Sequence, residues 1–344
     1  MKALVKTTPG PGAVLQQIPV PVPGPTDLLV KVKATALCKS DLDVIEWSPL
    51  VASSNLPLPL IMGHEFFGEV CEVGKMVKNF KAGDYITGET HIPCGYCHSC
   101  RTGNRHICSN NMGVVGRSID GSFAEYICLP EVSAIKLDKS MPPAEGALME
   151  PLATALHALS KAQVAGETVL VLGCGAIGLM TVELAKVFGA TNIFALDIFQ
   201  HKLEAARKCG AEVVINGREE DLVEVVLDAT KGLGVGTVIE TTGNQEVINK
   251  AVNALRVAGT LVFVGMIDHP LTFEEFMHKV VYRELTLTGI FGRKLYETWE
   301  TLQMILDSGK LDLSRYVGAE IKLDEFEKGS ELFPTTLGRV IMYP

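Results

Sequence analysis

The sequence predicts an α/β protein of two domains, one turn-rich and mostly β, the other doubly wound around a parallel sheet. At 344 residues it is long enough for two domains of about 150 residues each. Residues 1–155 contain short apolar stretches, such as 28–32 and 66–73, set between Gly, Pro and Asp. From about Gly166 onward, β-branched apolar runs alternate with helix-length segments. That rhythm implies parallel strands with helices on both faces of the sheet.

The prolines at 19, 21, 23 and 25 exclude a central strand and predict an extended connector. In the second half, strands are expected at 167–172, 192–196, 213–215, 237–240, 260–264 and 285–289. Helices are expected at 176–188, 200–208, 219–230, 246–257 and near 273–283. Six strands is the number a full dinucleotide-binding fold uses. From 290 the chain gives a helix at 297–307 and then short strands ending at 340–342. The tail is therefore expected to rejoin the first domain. Residues 1–155 and 290–344 would form one domain, and 156–289 would be inserted in it.

A net charge of −9 with no run of basic residues speaks against nucleic acid or an anionic membrane as a partner. No apolar run approaches the ~18 residues of a membrane span. The opening Met1-Lys2-Ala3-Leu4-Val5-Lys6 lacks the layout of a signal peptide. A cytoplasmic protein is expected, with its nine cysteines as reduced thiols.

Four of those cysteines fall within fifteen residues, as Cys94-x₂-Cys97-x₂-Cys100-x₇-Cys108. Two-residue gaps let one tight loop aim successive thiolates at a point, and four sulfurs close a tetrahedron around a structural zinc. An iron–sulfur cluster or plain buried thiols are the alternatives. His98 and His106 lie inside this lobe and are expected at the surface.

A second set is dispersed: Cys38, Gly63-His64-Glu65 and Glu150-Pro151. Mixed Cys, His and carboxylate ligands with one open position suit a catalytic zinc. Each residue also has a plain reading, as a core thiol, a satisfied buried histidine, a surface carboxylate and a helix-start residue.

The third signal is Gly173-Cys174-Gly175-Ala176-Ile177-Gly178, after a strand and at the start of a helix, with Asp197 nineteen residues beyond the last glycine. The first glycine permits the turn, the second lets backbone approach a pyrophosphate, and the third allows helix–strand packing. Asp197 would accept hydrogen bonds from the adenosine ribose and repel a 2′-phosphate, favouring NAD over NADP. Lys202 softens that preference.

These features, in this order, resemble the medium-chain zinc-dependent dehydrogenase family over essentially the whole chain. The likeness runs through 63–70, 88–95, 121–126 and 289–299. The last stretch is most like the threonine-oxidising branch, with the sorbitol and galactitol-phosphate dehydrogenases next. The resemblance implies a GroES-like β-barrel domain beside a Rossmann domain, NAD and two zincs per chain, a small-molecule substrate, and a homotetramer or homodimer. It implies hydride transfer from a small secondary alcohol, threonine first and a polyol or its phosphate second. Cys38, His64 and Glu65 match the catalytic zinc ligands, and Glu150 a carboxylate at or near that metal. Ser40 matches the hydroxyl that starts the proton relay. Ile177, Asp197, Lys202, Val264, Gly265, Met266, Ile290 and Phe291 match cofactor-contacting positions beside Gly173, Gly175 and Gly178. Asp43 stands where the threonine-oxidising branch keeps a relay histidine. Ser40 and Asp43 also resemble a helix-capping pair.

Overall fold

The computed structural model describes residues 1–110 and 113–344, and the chain divides into two compact units. The first comprises Met1–Pro151, Gly292–Glu300 and Asp312–Pro344, and the second Leu152–Phe291 and Thr301–Leu311. Residues 301–311, expected in the first domain, therefore group with the second unit.

In the first unit the long strand Asp27–Leu37 is the organising element. It pairs antiparallel with Glu65–Val73, Tyr126–Pro130 and Arg339–Tyr343. One strand can serve three partners because its register shifts between Leu29 and Val30 and again between Val32 and Ala34, bending it around the core. Leu28, Val30, Phe66, Val70, Ile86, Ile127 and Leu129 fill one side of that core. Leu4, Leu37, Val44, Met62, Phe123, Val340 and Met342 fill the other. A three-stranded sheet joins Lys2–Lys6 to Val14–Gln17 and Leu60–Ile61. The proline segment that follows Gln17 contains no strand.

The second unit is a six-stranded parallel sheet. Its order is Val213–Asn216, Asn192–Asp197, Thr168–Leu172, Val235–Glu240, Leu255–Phe263, Thr286–Gly289. Strand Thr168–Leu172 is central because Val169 to Leu172 are fully buried, apolar toward both helical layers. The helix expected at 246–257 ends earlier, as Gln245–Ala254. Leu255 is extended, buried and paired with Val235, so strand pairing takes residues that helix propensity would have kept. The helix expected near 273–283 is only the π-turn Met277–Val281. It lies between Glu275 and Glu284, both held at φ 50°, which stops helix propagation on each side. No helix among the described residues is long and apolar enough to cross a membrane.

Candidate active site

The cysteine lobe is built almost entirely from local chain. The ligand atoms of Cys94, Cys97, Cys100 and Cys108 lie within 4.8 Å of one another, with Sγ–Sγ distances of 3.9 Å for Cys94–Cys100 and 3.7 Å for Cys97–Cys108. A tetrahedral ion with bonds of about 2.3 Å places sulfurs about 3.8 Å apart, so the donors fit zinc. Backbone N–H groups of Cys97, Cys100 and Cys94 point at Cys94, Cys97 and Cys108 sulfurs at 3.4–3.5 Å. The N–H of Cys100, with Ser109, brings the Cys97 thiol down to about 5, so it is a thiolate at neutral pH. His98 is exposed, but His106 is buried in the turn Arg105–Ile107, contrary to its expected surface position. Neither belongs to the sulfur cluster.

The second cluster is made by tertiary structure. Cys38 caps the Lys39–Glu46 helix, where strand Asp27–Leu37 ends. Ala36 pairs with Glu65, and that register carries Glu65 and the preceding His64 to Cys38. The ligand atoms of Cys38, His64 and Glu65 lie within 4.8 Å of one another, which suits three zinc ligands with one position open. Asp41 joins the group: its Oδ2 accepts from the Cys38 N–H at 3.0 Å, and its Oδ1 lies 3.3 Å from His64 Nδ1. A carboxylate on the second ring nitrogen fixes tautomer and orientation, leaving Nε2 for metal. Burial opposes charge on this imidazole, but Asp41 and Cys38 outweigh it and hold His64 well above its ordinary value.

Glu65 is fully buried and gripped in bidentate fashion by Arg339, at 2.7 and 2.9 Å. Arg339 Nη2 also lies 3.8 Å from Cys38 Sγ. Burial pushes the Glu65 carboxyl up to about 7, with Arg339 opposing the rise and Glu150 adding to it. Glu150, expected as a further ligand, stands outside the ligand cluster. Its carboxylate accepts from Thr90 Oγ1 at 2.7 Å and is paired with the buried Arg293. Arg293 in turn grips Glu89 through Nε and Nη2, at 3.1 and 2.6 Å. Glu89 also accepts from the Trp299 indole and lies beside His91. Burial would raise Glu89, but Arg293 and His91 hold it well below the carboxylate range.

Helix Lys39–Glu46 corrects one local expectation. Its capping box is Cys38 with Asp41, so Ser40 and Asp43 are not the capping pair. Asp43 is instead paired with Lys39, Nζ to Oδ1 at 2.6 Å. The departure from the family pattern at Asp43 thus ends in an ion pair within the same helix. The sequence reading missed Asp41, Arg339, Glu89 and Arg293. No local signal marks them: Asp41 and Glu89 stand among polar residues, and Arg293 and Arg339 each simply follow a glycine.

In the second unit Gly173, Asp197, Val264 and Ile290 end or directly follow strands, while Ile177, Gly178 and Lys202 lie in the first turn of the helix that comes next. Open α/β sheets bind nucleotides at such ends. Gly173 follows Leu172 with φ 90°, and a Cβ on Gly178 would stand 1.8 Å from Gly173 O, so helix and loop touch there. A Cβ on Gly175 would meet nothing within 4 Å, leaving open space at the start of helix Ala176–Val187, the helix that carries Ile177. Unpaired first-turn N–H groups facing such space fit a pyrophosphate. Asp197 ends its strand and accepts from Cys174, Ile198 and Phe199 N–H groups at 2.7–3.0 Å. The Lys202 ammonium and the Arg218 guanidinium both lie over the Phe199 ring, at 5.2 and 5.3 Å. Val264 and Gly265 donate to Glu240 O, Met266 stands against Gly243, and Ile290 donates to Phe263 O ahead of exposed Phe291.

Comparison with known proteins agrees with this division. Residues 24–139 match the alcohol dehydrogenase GroES-like domain family, and 176–307 the zinc-binding dehydrogenase family. The chain is 38% identical over 346 residues to L-threonine 3-dehydrogenase of Caldanaerobacter subterraneus subsp. tengcongensis, covering 100% of this chain and 99% of that one. It is 39% identical over 333 residues to L-threonine 3-dehydrogenase of Pyrococcus horikoshii, covering 96% and 95%. The crystal structure of galactitol-1-phosphate dehydrogenase from Escherichia coli matches with a TM-score of 0.90 at 26% identity, covering 100% of both chains. With two sulfur-bearing ligand clusters in one unit, a glycine loop in the other and full-length relatives of this kind, the chain belongs to the medium-chain zinc-dependent dehydrogenase family and is an NAD-linked zinc oxidoreductase.

Proposed function

We propose that this enzyme oxidises L-threonine to 2-amino-3-ketobutyrate with NAD. The observation that carries the reading is the Cys38/His64/Glu65 cluster in a chain whose full length is similar to L-threonine 3-dehydrogenases. Zinc chemistry is assigned to the first unit and cofactor binding to the second. Zinc held in that cluster would supply a Lewis acid for the substrate hydroxyl, and NAD on the glycine loop would supply the hydride acceptor. Cys38, His64 and Glu65 hold the metal, Asp41 fixes the His64 ring, and Arg339 limits how far Glu65 can move. Glu150 stays beside the cluster on Arg293 and Thr90. Ser40, two residues from Cys38, takes the hydroxyl proton at Oγ and passes it toward the Lys39–Asp43 pair and solvent.

A second reading, a polyol or sugar-alcohol phosphate dehydrogenase, draws on Asp43 in place of the relay histidine and on the galactitol-1-phosphate dehydrogenase likeness. The test is formation of NADH with L-threonine, sorbitol and galactitol 1-phosphate, run beside metal analysis of the same sample. The threonine reading expects about two zincs per chain and L-threonine as the best substrate; turnover of polyols alone would replace it with the second reading.

Self-association as a homodimer or homotetramer is proposed for the second unit. Strand Thr286–Gly289 is the sheet edge, and Phe276, Met277, Val281 and Tyr282 are exposed just before it. Light scattering on the purified protein tests it, and a monomer would refute it. Nine free cysteines, all but Cys71 buried or half-buried, suit a reducing cytoplasm.

A further inference from the structure

Among the described residues, the arginines and lysine nearest the Cys38/His64/Glu65 cluster are paired with carboxylates, except Arg117. Arg339 is bound to Glu65, Arg293 to Glu89 and Glu150, and Lys39 to Asp43 and Glu46. Arg117 is half-buried, and its side chain donates from Nη2 to the Ser40 carbonyl at 2.8 Å. Among the described residues no carboxylate is paired with it. The Ser40 bond does not account for a charge there. Ser40 lies in the first turn of its helix, where a carbonyl already takes the N–H four residues on.

The backbone around Arg117 is fixed against the ligand-bearing segments. Arg117 N–H donates to Val114 O, and Gly116 N–H to Ile119 O. A Cβ on Gly116 would stand 2.5 Å from Gly63 O and 2.9 Å from Gly63 N, so this turn lies directly on the residue before His64. Arg117 thus spans from the Gly63–His64 segment to the Cys38–Ser40 segment. One of its five N–H donors is used, and the remaining fork matches a carboxylate or a phosphate. A part-exposed guanidinium with no carboxylate on it is open to an incoming anion.

We propose that Arg117 binds the anionic group of the substrate, so that the substrate is a small secondary alcohol bearing a carboxylate or a phosphate. The proposal rests on the dehydrogenase reading above and narrows it. Neutral polyols are poor substrates on this account.

The experiment compares zinc-loaded wild type with Arg117→Gln and Arg117→Lys. Substrates are L-threonine against threonine amide, galactitol 1-phosphate against galactitol, and 2,3-butanediol as an uncharged control. Calorimetric binding of L-threonine and galactitol 1-phosphate to the NADH complex runs alongside. The expected result is wild-type preference for one charged substrate over its neutral counterpart, which tells carboxylate from phosphate. For that substrate Arg117→Gln raises KM and Kd about tenfold or more with kcat within about threefold, and Arg117→Lys recovers part of the loss. KM for 2,3-butanediol does not move. Equal losses for charged and neutral substrates, or no loss of anion binding in Arg117→Gln, would overturn the assignment while leaving the dehydrogenase reading in place. Anion binding that depends on Arg117 without turnover of any alcohol would keep Arg117 and remove the dehydrogenase reading.

Discussion

The two sulfur-containing clusters of the first unit contrast in how the chain makes them. The lobe takes all four donors from residues 94–108, and its N–H groups solvate its own thiolates. The Cys38/His64/Glu65 cluster takes its donors from a helix cap and a strand start. It is braced by Arg339, which lies 274 residues from its partner Glu65. A local site can form wherever its loop folds, whereas a dispersed one exists only when a sheet register is correct. The first suits a structural role and the second a chemical one, because the second can leave a ligand position open.

Removing one donor from each cluster should therefore separate the roles, and this is the largest expected effect. Cys38→Ala loses one zinc and all turnover with little change in thermal midpoint. Cys97→Ala also loses one zinc, but lowers the midpoint by about 10 °C while folded enzyme keeps activity. Metal analysis with thermal unfolding checks both, and similar midpoints for the two variants would erase the contrast. Next, Arg339→Gln leaves Glu65 buried without its cation and should cost about 3–5 kcal/mol in denaturant unfolding. A loss under 1 kcal/mol would mean that the brace is not needed. Asp41→Asn should weaken zinc at the dispersed cluster about 10–100-fold in chelator competition and leave the lobe zinc in place. The smallest effect lies in the second unit. Arg218→Ala should lower kcat/KM for NADP up to about fivefold and leave NAD unchanged, because one exposed charge is worth little. Equal loss for both cofactors would place Arg218 away from the ribose 2′-position.

The same local-versus-distant divide decides what could be read ahead. The lobe and the glycine loop were legible because each motif is contiguous and its spacing is its geometry. The helix at 297–307 appears with the expected bounds. The helix expected at 246–257 loses its end to strand pairing by Leu255, and the one near 273–283 is interrupted by left-handed glutamates that no propensity announces. Nothing in the surroundings of Arg293 or Arg339 in the chain marks them as partners of Glu89, Glu150 or Glu65. Asp43 was visible as an odd residue, but its pairing with Lys39 needed a helix that begins at Lys39 and sets the two one turn apart.

The sequence by itself determined the alternation that makes a parallel sheet, the four-sulfur lobe and the glycine turn between strand and helix. Their information lies within a few consecutive residues, and backbone geometry turns spacing directly into position. The tertiary structure alone decided which carboxylate faces Cys38 and His64, which arginine holds each buried glutamate, and that Arg117 has no acidic partner among the described residues. Those outcomes depend on strand register and on competition among buried charges, where one low-dielectric contact outweighs any preference carried by the local chain.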